Sequence, residues 1–363
     1  LMKVEEIEAT PLRVKMEEKL VGGTFSYGDY QTVVVRAICD GVEGWGEAMS
    51  RNDPRVNSIL VGHLAKGVVG MTFEGVGEVW TKIARDLRVR GHTRGSGMEA
   101  LSGIEMALFD SVGKREGRGL AAMFSEKPAN RTKAIAGSLF DSRGSMEDQV
   151  ETARQKGLAG AKVKVGFGPK KDLAILEEVK RLWPDGMIVA DANGAYDVET
   201  AVVACETFRP LDLAWFEEPV LSDDWDGYRR LKGLGVRIGA GESWFSSDFD
   251  MPLGEKLVDV LEPSVSRCGG VSVEMKAGMK ANQVGIGFSP MTGMNSGLSL
   301  AASLHAASAR HAEAVEYNPF VNPLQTELVH GLPEPRSGEV SAPQGPGLGV
   351  EVDVGFLKAH RVG

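Results

Sequence analysis

Three acidic residues close three consecutive strand-like runs. Asp191 ends "MIVAD", Glu217 ends "LAWFE" and Glu242 ends "VRIGAGE". Carboxylates that converge at one end of a parallel sheet repel one another unless a positive charge sits between them. A hard divalent cation supplies that charge. Mg²⁺ (or Mn²⁺) suits a few carboxylate oxygens and keeps coordination positions for water and substrate. One run earlier, "AKVKV" places Lys162 and Lys164 two residues apart, so both project from one face of their strand. A buried ammonium is costly unless it meets an anion, and the neighbouring carboxylates provide one. Lys162 beside Lys164 is expected to lower the pKa of Lys164 toward neutrality and make it a competent base. Plainer roles exist for the same residues. An acid at a strand end also caps the following helix, and two lysines at a strand edge can be solvated or ion-paired. Glu218, next to Glu217, is expected on the opposite side of the strand.

The elements that must carry these residues recur in a regular rhythm. From about residue 130, eight short β-type runs follow one another: "TKAIAGS", "AKVKV", "MIVAD", "LAWFE", "VRIGAGE", "LVDVLEP", "GIGFSP" and "AEAVE". Most are separated by helical composition, such as "KKDLAILEEVKRLW" and "DVETAVVACETF". A repeat of roughly 25 residues is one strand–loop–helix unit, and eight even units favour a closed barrel over a doubly wound sheet. The active site of such a barrel lies at the C-terminal ends of its strands, where the three acids stand. The first 127 residues read differently. "KVEEIEATPLRV" and "YQTVVVRAICDGVEGWGEA" form a β meander with a turn at Asp40-Gly41, followed by two helical stretches. The clearer helix is "GMEALSGIEMALFDSVGK", with Leu101, Ile104 and Leu108 on one stripe. Between the first strands, "EEKLVGGTFSYGDY" reads as a mobile loop.

Composition narrows the class. The chain has 363 residues and a net charge of −9, which disfavours a general nucleic-acid or membrane-surface binder. No apolar run is long enough to span a bilayer, and the N-terminal stretch lacks a signal-peptide core, so a cytoplasmic protein is expected. Cys39, Cys205 and Cys268 are odd in number and form no CxxC pair, which predicts buried free thiols.

Taken in order, "AKVKVG", "VADANGAY", "WFEEPV", "GAGESW", "RCGGVS" and "PGLGVEVD", with "ALFDSVGK" in the first domain, resemble the enolase superfamily in its mandelate racemase/muconate lactonizing enzyme branch. The resemblance covers essentially the whole chain. It implies an α/β fold: an α+β capping domain over residues 1–127, completed by a tail of about 330–363, and a modified TIM barrel, (β/α)₇β, over 128–329. It implies Mg²⁺ on Asp191, Glu217 and Glu242, with Asn193 behind them, and a small carboxylate substrate. Lys164 would remove the proton α to that carboxylate. Lys162 would tune Lys164 or meet the carboxylate, and Glu316 would hydrogen-bond it. Loops with Tyr27, Tyr30, Arg51 and Asn52 would close over the substrate, and relatives are usually homo-oligomers.

The departures are equally informative. The branch commonly places an Asp–His dyad across the ring from the lysines. Here Ser264 stands at the Asp position and Met291 at the His position. Arg267 fits either a salt bridge in the barrel wall or a place behind the site. His305 and His311 are expected to be structural, and His92 could reach over the mouth. Racemisation needs a proton donor and acceptor on opposite faces of a flat enediolate. Syn elimination needs one base only, which points to a dehydratase of sugar acids. A racemase or epimerase, a Schiff-base aldolase through a barrel lysine and a non-catalytic relative stay as alternatives.

Overall fold

The computed structural model describes residues 1–363. Its N-terminal part is an antiparallel sheet of β1 (Met2–Val21), β2 (Ser26–Cys39), β3 (Val42–Met49) and the short β4 (Thr72–Phe73), ordered β3-β2-β1-β4. Against it pack α1 (Pro54–Ala65), α2 (Val76–Val89) and α3 (Ser96–Glu116), and the single turn α4 (Leu120–Phe124) leads on toward the barrel. More helix is present than the two expected stretches, because Asp53 caps α1 and Pro54 opens it directly after the "AMSRND" turn. Glycines let β3 press onto α3. A Cβ on Gly44 would lie 2.1 Å from the Ala107 carbonyl oxygen, and one on Gly46 would lie 2.3 Å from that of Gly103.

The segment expected as a mobile loop is a paired hairpin. β1 and β2 pair again at Leu20↔Tyr27 after a register shift beyond Lys15↔Asp29, leaving only residues 22–25 as the turn. Backbone pairing with β1 overrides the Gly- and Tyr-rich composition.

Eight parallel strands make the barrel: β5 (Thr132–Leu139), β6 (Gly160–Lys164), β7 (Met187–Asp191), β8 (Trp215–Glu217), β9 (Ile238–Ala240), β10 (Val260–Leu261), β11 (Gly287–Phe288) and β12 (Val315–Tyr317). β12 returns to pair with β5. Across the β11–β12 seam the Glu313 amide donates to the Phe288 carbonyl at 2.8 Å. The strands alternate with α5 (Met146–Gln155), α6 (Pro169–Leu182), α7 (Val198–Phe208), α8 (Trp225–Leu231), α9 (Asp250–Glu255), α10 (Val271–Val284) and α11 (Gly297–Arg310). Where an eighth barrel helix would follow β12 stands the four-residue α12 (Pro323–Thr326), and the later α13 (Val354–His360) belongs to the tail, so the fold is the expected (β/α)₇β variant of a TIM barrel beneath a cap. Alternation does the sorting: Ala161 and Val163 join the outer core, while Lys162 and Lys164 face the axis. Ile135, Val189, Trp215, Val260 and Ala314 plug the lower barrel.

Two cap carboxylates grip barrel helices. Glu47 of β3 accepts from the Ser296 and Ser299 amides at the start of α11. Glu105 of α3 accepts from the Ser272 amide at the start of α10. The tail runs back over the cap, where the Val362 amide donates to the Pro11 carbonyl at 3.0 Å. All three cysteines are buried and unpaired. No helix is long and apolar enough to cross a membrane.

Candidate active site

Register brings the key side chains to one level. Lys164 pairs with Asp191, and Asp191 with Glu217, on neighbouring strands. Lys162 sits one layer deeper, opposite Gly137 of β5. Its ammonium meets Glu217 at 2.8 Å, Asp191 at 3.6 Å and also Glu316. Lys164 contacts Asp191 and donates to Asn193 Oδ1 at 2.9 Å. Asn193 bridges the acids: its amide donates to Asp191 Oδ1 at 2.9 Å and its Nδ2 to Glu242 Oε1 at 3.2 Å. Arg51, about a third exposed (35%), crosses from the cap to Glu242 at 3.1 Å. Glu316 is held from the other side by the Gly293 amide at 2.9 Å and the Thr292 amide at 3.3 Å. Gly137 makes room for it, since a Cβ there would lie 2.8 Å from Glu316 Oε2.

Burial and charge set the protonation tendencies. Burial opposes a charge on Lys164, and Lys162 adds to that opposition. Asp191, with Glu242 and Glu217, outweighs both and holds the pKa above the ordinary lysine value. The expected downward shift is therefore corrected: the anions win because they lie closer and are more numerous. Lys162 is likewise held protonated, its burial overcome by Glu217, Glu316 and Asp191. Burial and then Asp191 push Glu217 upward. Glu242 is drawn down to about 2, because Arg51 and Lys164 overcome its burial.

These residues line a cleft between barrel mouth and cap. Of the residues singled out in the sequence, Lys162, Lys164, Asn193, Glu242, Glu316, Met291, Tyr27, Tyr30 and Arg51 face it. Asp191 and Glu217 lie in its floor, fully buried. Tyr27 is 3.4 Å from Arg51, and Tyr30 donates to the Val321 carbonyl at 2.8 Å. Three candidates do not line the cleft. Ser264 is buried with its hydroxyl unpartnered, its carbonyl opening the turn into α10. Asn52 turns to solvent, because only its backbone carbonyl is engaged, by Ser50. Arg267 sits behind Glu242, donating to Ser243 Oγ at 2.9 Å and meeting Glu99 at 3.5 Å. His92 lines a separate hollow beside Trp80. His305 ties α11 to α4 and to the tail, and burial lowers its pKa to about 4. His311 ends α11 in a left-handed conformation.

Other residues enter the site unannounced. Glu218 was expected on the far side of its strand, but its φ of 39° turns it back toward Glu242, Ser243 and Arg51 at the mouth. Glu262, buried beneath Lys162, has an oxygen without a partner, and Gly239 leaves it room. Ser138, Phe140, Asp29 and Gln31 complete the cleft's outer walls. Alternation along β5 does not signal Ser138 and Phe140: it assigns Leu139 to the axis after Ile135 and Gly137, and a register break between Gly137 and Leu139 turns Ser138 and Phe140 to the cleft instead.

As they stand, the acids are engaged by cations and are not gathered into a ready-made metal cage. Their chemistry nevertheless fits a hard divalent ion. The donors are all carboxylate oxygens on adjacent strands, and Glu217 Oε1 is buried without a partner.

A capped (β/α)₇β barrel with three acids and a Lys-x-Lys pair at its mouth is the architecture to set beside known proteins. Residues 9–124 match the family described as "Mandelate racemase / muconate lactonizing enzyme, N-terminal domain", and residues 145–355 match "Enolase C-terminal domain-like". The chain belongs to the enolase superfamily, and within it to the enzymes of the mandelate racemase/muconate lactonizing enzyme group. It is 27% identical to D-galactarolactone cycloisomerase of Agrobacterium fabrum, covering 99% of both chains. It is 26% identical to arabinonate dehydratase of Saccharolobus solfataricus, covering 89% of this chain and 88% of that one. A solved enolase-superfamily member from Polaromonas sp. JS666 superposes with a TM-score of 0.90 at 26% identity, over 99% of this chain and 98% of that one.

Proposed function

We propose that the protein is a Mg²⁺-dependent dehydratase of sugar acids that eliminates water by a one-base route. The carrying observation is the asymmetry of the cleft. One wall holds Lys164 level with Asp191 and Glu217, and the opposite positions hold Met291 and a Ser264 that does not reach the cleft. Asp191, Glu217 and Glu242 would hold the metal, which supplies positive charge that acidifies the α-carbon and offsets the anions keeping a proton on Lys164.

The chain's own groups do the rest. Lys162, fixed by Glu217 and Glu316, stays cationic and meets the substrate carboxylate. Neutral Lys164 takes the α-proton, and the C–H electrons become the enediolate. Those electrons then form the Cα–Cβ double bond as the β C–O bond breaks. Lys164 returns its proton to the leaving hydroxyl on the same face, and water departs. The resulting enol tautomerises to a 2-keto-3-deoxy acid. Cap residues Tyr27 and Arg51 close the mouth and limit water. Asp29, Gln31 and Ser138 offer hydrogen bonds to hydroxyl groups. The same route opens a lactone when its ring oxygen sits at the β-carbon. The leaving group is then a carboxylate and the reaction is an isomerisation. The likeness to a lactone cycloisomerase favours this as the second reading.

The test is a panel of sugar acids and their lactones with Mg²⁺, scored for keto acid and, in D₂O, for α-hydrogen exchange. Lys164→Ala should lower the keto-acid rate by about 10²–10⁴-fold. Exchange or racemisation without keto acid from any panel member overturns elimination. Full turnover by Lys164→Ala overturns the base.

A further inference from the structure

Beside the outer wall of the cleft, just beyond its lining residues, stands a cation that the proposed proton chemistry does not use. Arg143 follows β5 and lies over two aromatic rings, 4.0 Å from the Phe320 centroid and 5.4 Å from that of Phe140. Its only side-chain hydrogen bond is a long one, 3.4 Å, to the Ser138 carbonyl. The other arginines at the mouth each have an acid: Arg51 has Glu242 and Arg267 has Glu99. Arg143 has none. It is half-buried, and burial lowers its pKa, only partly offset by Tyr30 and Glu18. Three of its neighbours, Ser138, Phe140 and Tyr30, line the cleft.

The segment that presents it is held rigidly. Gln149 of α5, buried, accepts from the Phe140 amide at 3.0 Å. It donates to the Phe140 carbonyl at 2.8 Å and to the Arg143 carbonyl at 2.6 Å. A half-buried guanidinium, stacked on aromatic faces and with no carboxylate within ion-pair distance, is poised to take one in a two-pronged contact. From Gly137, against Glu316, to Phe140, under the guanidinium, is at most about 10 Å of extended chain. A molecule that runs along the cleft from Glu316 to the Phe140 ring has the guanidinium over that ring as its outer neighbour.

We infer that Arg143 binds a second carboxylate, so that the substrates are dicarboxylic sugar acids, or lactones that open to them, rather than monocarboxylic ones. This rests on the elimination reading above for the first carboxylate and deepens it for the far end.

The experiment compares kcat/KM of the Mg²⁺-loaded protein on galactarate and glucarate with that on galactonate and gluconate. Wild type should favour the dicarboxylates. Arg143→Ala should cut the dicarboxylate-to-monocarboxylate ratio about 100-fold, mainly through KM, and Arg143→Lys should recover part of it. The unfolding midpoint of each variant checks that it folds. A wild-type preference for monocarboxylates, or a ratio that Arg143→Ala leaves within about threefold, overturns the inference and leaves the elimination reading standing. If no acid is turned over, that reading falls instead. Calorimetric Kd values for the same four acids on wild type and Arg143→Ala then decide Arg143 alone, with the same 100-fold change in ratio expected.

Discussion

Glu47 is the point where the cap is fastened to the working face of the barrel, and removing its carboxylate should loosen both. The side chain is fully buried in β3. It accepts from the Ser296 amide at 2.9 Å, the Ser296 hydroxyl at 2.7 Å, the Ser299 amide at 3.1 Å and the Thr32 hydroxyl at 2.6 Å. The two amides belong to the first turn of α11, where no helical carbonyl can serve them. Glu47→Ala orphans these donors. Hydrogen bonds to a charged acceptor contribute about 1.5–3 kcal/mol each and do not add fully, so a loss of about 4 kcal/mol is expected. Unfolding entropy is about 2.1 cal/mol/K per residue, or about 0.76 kcal/mol/K for 363 residues. The midpoint should therefore fall by about 5 °C in differential scanning calorimetry. The segment just before α11 carries Met291 and Asn295 in the cleft wall and the amides that hold Glu316. KM should accordingly rise together with the thermal loss. A midpoint within about 1 °C of wild type would show that the clamp contributes little and that the cap is held elsewhere.

Two further outcomes follow from the buried acids. Burial raises the pKa of Glu105 to about 7, against the Ser272 and Val271 hydrogen bonds that lower it. The folded state then binds the extra proton between about pH 4.5 and 7, so about 3 kcal/mol of stability present below that window is lost as pH rises through it. Glu105→Gln should flatten the fall in melting temperature from pH 5 to 8; an unchanged slope refutes the assignment. For the metal, Mg²⁺ or Mn²⁺ at about a hundred times Kd should stabilise the protein by about 2.7 kcal/mol, a rise of about 3–4 °C on the same entropy that EDTA reverses. Asp191→Asn and Glu217→Gln should abolish the rise, and a wild type indifferent to both ions refutes the site.

The barrel and the centre of its mouth were legible because they follow period-two alternation. Lys162 and Lys164 share a face, and acids at strand ends meet at one level whatever the helices between them do. Legibility stopped where the alternation stops. Glu218 lies one residue beyond β8, and its left-handed backbone reverses the face that alternation assigns. Ser264 lies beyond β10 in a turn, and its side chain ends inside the wall. Asp29 and Gln31 were hidden because β2 begins in Gly- and Tyr-rich sequence and owes its extension to pairing with β1. Arg143 carries no signal of its own. Its position comes from Gln149, and its lack of a partner is a property of the assembled mouth.

The direction of the Lys164 shift was illegible for a different reason: it is a sum over the whole mouth. Asp191, Glu217, Glu218, Glu242, Glu262 and Glu316 face a space in which Lys162, Lys164 and Arg51 are the cations left once Arg267 is set against Glu99. Positive charge falls short by three. Three carboxyls, Glu217, Glu218 and Glu262, are the ones pushed upward, each first by burial and then by its acidic neighbours. A divalent ion among Asp191, Glu217 and Glu242 would make up two of the missing charges. It would also relieve the pull on Lys164, because Asp191, the anion that does most to hold the proton there, would be shared. The spacing of two lysines therefore does not by itself make one of them a base. The base emerges only when the acids around it are neutralised, which ties the proton chemistry of β6 to the ion-holding chemistry of β7 and β8 and predicts that neither works alone.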